Sequence, residues 1–409
     1  MKLLNKLYNL NRSLLSDDNH IALEYINSEI PLTIHKYKSG EKCFDWTIPK
    51  KWKVNRGTLK DSNGNIVIDC YNNILHLINY STSFSGKILK NDLINYLHYD
   101  KDLPDAIPYR TSYYNDNWGF CLTYNQFQQL TDDVYYIDID TEFEDDHLLI
   151  GEATIKGSSK QEVVLTSYYC HPNQINDGLS GVILLIELYN KLKTLNLKYT
   201  YKFFFWPETI GCLTALSNNL INPNCTEYAL VATTVGKGDA HYKKTYLDNH
   251  SIDNIILELV GNKKKYQPTG SDERQLSSQS IRIPTGVLTT IPYEQFPEYH
   301  TSADDLNFVS MDTINNMVEL YLKILLTYES YDKYKMLIGG GEPFLSKYNL
   351  YRSIGTPGNS KHEIIRNWIL HYCDGTKNIK DISKLLDLPE QDIAEYILQY
   401  EKNQIIRKV

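Results

Sequence analysis

Residues 162–188 run Glu162-Val163-Val164-Leu165-Thr166-Ser167-Tyr168-Tyr169-Cys170-His171-Pro172-Asn173-Gln174-Ile175-Asn176-Asp177-Gly178-Leu179-Ser180-Gly181-Val182-Ile183-Leu184-Leu185-Ile186-Glu187-Leu188. The opening run, Glu162 to Thr166, is apolar on both sides of an extended chain, as in a strand covered on both faces. From Gly181 the apolar residues continue at helical length. Strand, loop and helix in that order predict a parallel or mixed α/β sheet flanked by helices. His171 and Asp177 then fall in the loop at the carboxyl end of the strand, the edge where open α/β sheets bind ligands. An imidazole and a carboxylate six residues apart can converge there on one borderline-soft cation such as zinc. Taken alone, the pair is weak evidence, since a histidine beside a proline in a loop is more often a surface or turn residue and Asn-Asp-Gly is a common turn.

Further along, the strand Tyr201-Lys202-Phe203-Phe204-Phe205-Trp206 runs straight into Pro207-Glu208-Thr209-Ile210-Gly211, which brings a carboxylate to the same sheet edge. Glu208 is the natural general base of such a site, and it also suits the first turn of a helix. A third segment, Phe296-Pro297-Glu298-Tyr299-His300-Thr301-Ser302-Ala303-Asp304-Asp305, carries a second histidine in a loop after a strand. Its carboxylates lie near enough to orient the other ring nitrogen, as metal-bound histidines require. Cys170, beside His171, reads as a core residue, because neighbours on an extended chain point in opposite directions and form no easy dyad. Tyr228 to Ala232 and Thr285 to Leu288 read as further strands, and Met311 to Tyr328 as a helix.

Around this framework the chain changes character twice. Residues 1–43 read as helical and join 134–335 in a discontinuous catalytic domain. Between them, 44–133 shows short alternating or aromatic runs broken by turns such as Asn63-Gly64-Asn65, the pattern of an inserted β-rich domain. A glycine-rich linker, 336–360, leads to a unit over 361–409 with three short helices and a terminal strand, a winged helix-turn-helix. From Lys361 onward eight basic and eight acidic side chains balance. The helix in the recognition position carries Glu390, Asp392, Glu395 and Glu401 against Lys402, which would repel phosphates in a groove. Protein contact, domain packing or a homo-oligomer is therefore expected of this unit or of the β insert, rather than nucleic-acid binding.

Composition narrows the class. The 409 residues are 42% apolar and 22% charged, enough for a sizeable core, and match no disordered, collagen-like or coiled-coil pattern. With 42 basic against 50 acidic side chains the formal charge is −8, so no overall cationic field draws nucleic acid or an anionic membrane. Seven scattered cysteines contain no C-x-x-C pair. No stretch approaches the 18 or so apolar residues of a membrane span, and Lys6, Asn9, Asn11 and Arg12 interrupt the leading leucines, so a cytoplasmic protein is expected. No phosphate loop or nucleophile elbow occurs.

Taken in order, His171-(loop)-Asn176-Asp177-x-x-Ser180-Gly181, then strand-Glu208-x-x-Gly211, then Tyr299-His300-Thr301-x-x-Asp304, resembles the M28-type zinc aminopeptidase family. More closely, with Ser271-Asp272-Glu273-Arg274-Gln275 added, nearly the whole chain resembles aminopeptidase-like proteins with an inserted β domain and a C-terminal winged helix, the domains of unknown function 2172 and 4910. The resemblance implies His171 for a first ion, Asp177 as a bridge, His300 for a second ion and Glu208 as general base. Two departures stand out. Thr209 occupies the place of a second acidic ligand, and Ala232-Thr233-Thr234-Val235-Gly236 offers no acid where the broader family has a further aspartate.

That leaves three protein ligands, the usual set for one catalytic zinc with an open position. The expected reaction is hydrolysis of an amide or peptide bond in a peptide or other small substrate. Zinc would lower the pKa of water from about 16 toward roughly 7, and Glu208 would pass the proton to the leaving amine. A competing assignment makes Glu208 the fourth ligand. Asp304 is expected to hold the tautomer of His300. Asp272, Glu273, Arg274, Glu298 and Tyr299 are candidates for the pocket wall, with Arg274 open to either a substrate carboxylate or a structural ion pair. Two other functions remain open: a metal-holding binding scaffold without catalysis, and a zinc-dependent deacylase or cyclase of surface-polysaccharide biosynthesis.

Overall fold

A computed structural model describes residues 1–350 and 361–409, so part of the expected linker, 351–360, lies outside the described residues. Eight strands form the central sheet: β1 (Thr33–Lys38), β2 (His147–Ile155), β3 (Glu162–Tyr168), β4 (Thr200–Trp206), β5 (Thr226–Ala232), β6 (His241–Lys243), β7 (Asn262–Lys264) and β8 (Thr285–Thr289). Their spatial order is β1-β2-β4-β3-β5-β8-β6-β7. The middle four, β4-β3-β5-β8, are parallel, while β1, β2 and the β6–β8 pairing run antiparallel. The sheet is thus mixed α/β. From β3 the chain steps to β4 on one side and then crosses to β5 on the other, so the strand order reverses between β3 and β5. Ligands of open α/β sheets sit outside the carboxyl ends at such a reversal.

Register then decides which loops meet. Tyr168 pairs with Trp206 across β3 and β4, and the Tyr169 N–H donates to the Trp206 carbonyl at 3.2 Å, so the loops carrying His171 and Glu208 leave the sheet side by side. Helix α1 (Leu179–Leu192) follows directly and is buried along most of its length. Two glycines allow this tight packing. Gly178, at φ 104, has the Tyr168 carbonyl oxygen 2.7 Å from where a Cβ would stand, and Gly181 has the Ala232 carbonyl oxygen 2.0 Å away. A larger residue at either place would push the helix off the sheet.

The segment 1–43 differs from its helical expectation. Only Lys2–Tyr8 and Asp18–Glu29 are helical, and β1 then lies antiparallel on the sheet edge beside β2. In the insert, Lys51–Lys60, Ile66–Asp69, Phe84–Leu89 and Val134–Glu144 form a four-stranded antiparallel sheet over Trp52, Leu59, Phe120, Tyr135 and Ile137. Its longest strand, Val134–Glu144, falls beyond the 133 boundary read from sequence, because its pairing partners are Lys51–Lys60 and Phe84–Leu89.

The chain divides into two compact units, Met1–Tyr246 with Val260–Leu322, and Leu247–Leu259 with Lys323–Val409. The second contains helices Lys361–Tyr372, Ile379–Leu386 and Glu390–Lys402. Its ribbon pairs Ile406–Lys408 with Tyr334–Met336, residues that the sequence reading divides between catalytic domain and linker. Leu345 also packs into this unit's core. The helix Ser251–Leu259 joins the same unit through Asn254 Nδ2 to Asp381 Oδ1 (2.6 Å) and Glu258 to Lys380 and Lys384 (2.6 and 2.8 Å).

Candidate metal centre

The loop after β3 is built before it is functional. Arg12, fully buried, donates to the carbonyls of Tyr169 and Gln174 and braces both ends of the segment that carries His171. Asn176 accepts the Gly236 N–H on Oδ1 (2.7 Å), and its carbonyl accepts from Thr234, which ties this loop to the one after β5. The neighbouring Ser180 hydroxyl donates back to the Asn176 carbonyl at 2.7 Å. Asp304 receives the Asn176 N–H on Oδ1 (2.7 Å) and the Asp177 N–H on Oδ2 (2.9 Å). Its partners are therefore these peptide groups, which corrects the expectation that it would hold His300. Burial pushes the Asp304 carboxyl up to about 7.

His300 arrives from the loop after β8 with left-handed backbone, φ 54, a conformation uncommon outside glycine. Its carbonyl accepts the Tyr109 N–H at 2.7 Å, while Ile107 and Ser302 exchange two further hydrogen bonds. The insert thus clamps the His300 loop. The Tyr109 ring stands edge-on to both imidazoles, at 5.4 Å from His171 and 5.3 Å from His300, and Tyr299 stacks on His300 at 3.9 Å.

These supports bring His171, Asp177 and His300 together, with one ligand atom from each within 4.8 Å of the others. His300 Nε2 lies 3.0 Å and His171 Nε2 3.9 Å from Asp177 Oδ2. Asp177 Oδ2 and His300 Nε2 are buried atoms with no hydrogen-bond donor or acceptor satisfying them, an arrangement that a cation resolves. Burial lowers His171 to about 4, so the imidazole is neutral near pH 7 and its lone pair is available. Burial alone would raise Asp177, but the two histidines and the Tyr168 hydroxyl hold it down to about 2, so it is ionised. Two imidazoles and one carboxylate are a donor set for zinc or a similar divalent cation.

Glu208 stands outside that trio, with Oε2 3.8 Å from His171 Nε2 and Oε1 accepting from the Ser271 hydroxyl at 2.6 Å. Burial, then the charges of Asp272 and Asp177, hold its carboxyl well above the usual range. The side chains of His300 and Glu208 are 31% and 24% exposed against 7% and 1% for His171 and Asp177, so the site is open on the His300–Glu208 side. Cys170 is buried in the core, its sulfur accepting the Glu208 N–H and lying 3.7 Å from His171 Nδ1. Burial keeps it a thiol.

The wall candidates separate. Asp272 takes the Trp206 indole N–H and the Thr209 N–H, both at 2.8 Å, and so fixes the turn that carries Glu208. Glu273 pairs with Lys243 at 2.7 Å. Arg274 donates from Nη2 to Thr209 Oγ1 at 2.8 Å. Glu298 enters through its backbone carbonyl, which accepts from Thr301. Sequence reasoning missed Arg12, Tyr109, Tyr168 and Ser271. Tyr168 donates to Asp177 Oδ1 and accepts the Thr233 hydroxyl at 2.7 Å. Of the four, Tyr168 and Ser271 stand in quoted stretches, without a role assigned to either.

Comparison with known proteins agrees with this architecture. The chain is 39% identical over 391 residues, 93% of its length and 89% of the relative's, to a Clostridium acetobutylicum protein named "Putative polysaccharide biosynthesis protein with aminopeptidase-like domain". It superposes on a Clostridium acetobutylicum crystal structure described as a putative peptidase, with TM-score 0.80 and 36% identity over all of this chain and 95% of that one. Two more distant structures share the fold at TM-score 0.56 and 12% identity over 80% of the chain: a Bacillus subtilis zinc aminopeptidase, 93% covered, and a Shewanella amazonensis peptidase M28 precursor, 92% covered. Residues 332–408 match a winged helix-turn-helix model. With residues 1–331 matched by its model, the chain belongs to the domain-of-unknown-function family DUF4910, an aminopeptidase-like fold followed by a winged helix.

Proposed function

We propose that the protein is a metal-dependent hydrolase of amide bonds, with one divalent cation, zinc, held by His171, Asp177 and His300, and Glu208 as general base. The observation that carries this reading is the pair of unsatisfied buried atoms, Asp177 Oδ2 and His300 Nε2, 3.0 Å apart, with Glu208 Oε2 3.8 Å from His171 Nε2. A cation in that position supplies Lewis-acid polarisation of a carbonyl and acidifies a water molecule. Ser271 occupies Glu208 Oε1, so Oε2 is the atom that takes the proton and later hands it to the leaving amine. Asp272 keeps that carboxylate in place by fixing the Thr209 N–H and the Trp206 indole.

A single ion is supported by Tyr168, whose hydroxyl occupies Asp177 Oδ1, the oxygen that a bridging carboxylate would give to a second cation. Thr209 and the acid-free segment 232–236 stand where the resemblance would place the two further acids. The name of the Clostridium acetobutylicum relative favours a second reading of the substrate, in which the amide is the acyl group of an amino sugar. The test is turnover of aminoacyl chromogenic amides and of N-acetylated amino sugars by zinc-loaded protein. Glu208→Gln is expected to lower turnover by about 100-fold or more with metal content unchanged, and His171→Ala to lose the metal. Turnover that survives Glu208→Gln, or equal metal in His171→Ala, would overturn the assignment.

A further inference from the structure

A cavity of about 340 Å³ lies between strands β6, β7 and β8 and the Pro292–Gln295 turn. That volume suits a small molecule or one end of it. Lys243, Lys263 and Lys264 line it with His241 and Tyr293, and among the described residues no acidic side chain does. In a chain of net charge −8, three lysines around one cavity make a local cationic well. Lys243 is already paired with Glu273, whereas Lys263 and Lys264 are exposed on β7. The buried Tyr293 hydroxyl has no hydrogen-bond partner.

The cavity adjoins the candidate metal centre along two short paths. Gly270 lines it, and the next residue, Ser271, holds Glu208. Gly270 has no room for a side chain, since a Cβ there would stand 2.5 Å from Glu273 Oε1, 3.2 Å from Lys243 Nζ and 3.3 Å from the Tyr293 ring. On the other path the Tyr293 ring faces Tyr299 at 6.1 Å, and Tyr299 stacks on His300. The lysine-lined space and the groups that hold Glu208 and His300 therefore share walls, through Gly270–Ser271 and through the Tyr293–Tyr299 pair. The geometry points to an anion-recognising subsite there: Lys263 and Lys264 bind a carboxylate or phosphoryl group on the substrate. The proposal deepens the hydrolase reading and rests on it for the identity of the second group, but its binding chemistry can be measured without turnover.

The full-length protein as purified is titrated calorimetrically at low ionic strength with inorganic phosphate and, separately, with succinate. At least one is expected to bind saturably, and the tighter of the two names the group. Lys263→Gln/Lys264→Gln is expected to weaken that binding about tenfold or more, as loss of charge-assisted hydrogen bonds does. Lys265→Gln, outside the cavity, and His171→Ala are expected to leave it unchanged. Absence of binding, equal affinity in the double variant, an equal loss in Lys265→Gln or abolition by His171→Ala would each overturn the subsite. Lysine-dependent binding in a protein that hydrolyses no amide would retain the subsite and refute the hydrolase reading, and amide turnover without it would do the reverse.

Discussion

Asp304 shows how a single residue can control a cation site without touching the cation. Its two carboxylate oxygens hold the N–H groups of Asn176 and Asp177, and the second of those peptides carries the ligand itself. Asp304→Ala would leave both buried donors unpaired and let the loop relax, so the affinity for zinc is expected to fall about 10–100-fold, as for other outer-shell losses. Competition with a chromogenic chelator measures this, and an unchanged affinity would refute the positioning role. At this scale the sequence is only partly legible. His171, Asp177, Glu208 and His300 can be found because each follows an apolar strand run at one sheet edge. In the sequence Asp304 reads as locally tied to His300, four residues away, but the groups that it holds lie 128 and 127 residues back. Tyr109 is likewise invisible, since only tertiary structure brings the insert to the His300 loop.

Among the elements, β3, its loop and α1 form the support on which the site depends. Gly181→Ala puts a Cβ 2.0 Å from the Ala232 carbonyl oxygen, so helix or strand must move, and the expected loss is of order 3 kcal/mol in urea unfolding. A loss below about 0.5 kcal/mol would show that the contact yields freely. The insert has a pH-dependent element of its own. His76 is buried, its Nδ1 donating to the Cys121 carbonyl at 2.8 Å, and burial lowers its pKa. The folded state thus binds the proton less readily than the unfolded chain, whose histidines titrate near about 6.5. His76 contributes full stability above that value and loses it as pH falls through it toward the lower folded pKa. Unfolding midpoints at neutral and mildly acidic pH should draw together in His76→Gln, and equal acid sensitivity in both proteins would contradict the assignment. The parallel strands were readable as apolar runs. Strand β1 was not, because an edge strand with Lys36, Lys38 and His35 facing outward or half-buried lacks that signature.

For the whole molecule, the family boundary and the physical boundary differ. The DUF4910 match ends at residue 331 and the winged-helix match begins at 332, yet the C-terminal unit takes in Leu247–Leu259 from the middle of the chain. Helix Ser251–Leu259 buries Ile252, Ile255 and Ile256, and its polar face meets Asp381, Lys380 and Lys384. The groups that this helix meets lie over a hundred residues later, which no local spacing in the sequence can name. A chain cut after residue 331 keeps the metal ligands and removes the residues that hold this helix. Segment 247–259 should then open locally, because short helices draw most of their stability from packing. Limited proteolysis is expected to cut the truncated chain within 247–259 while the full-length protein resists there, and the zinc content of the truncated chain should match that of the full chain. Equal resistance in both would mean that Ser251–Leu259 is held by the first unit, and the division of the chain at Tyr246 and Val260 would have to be redrawn.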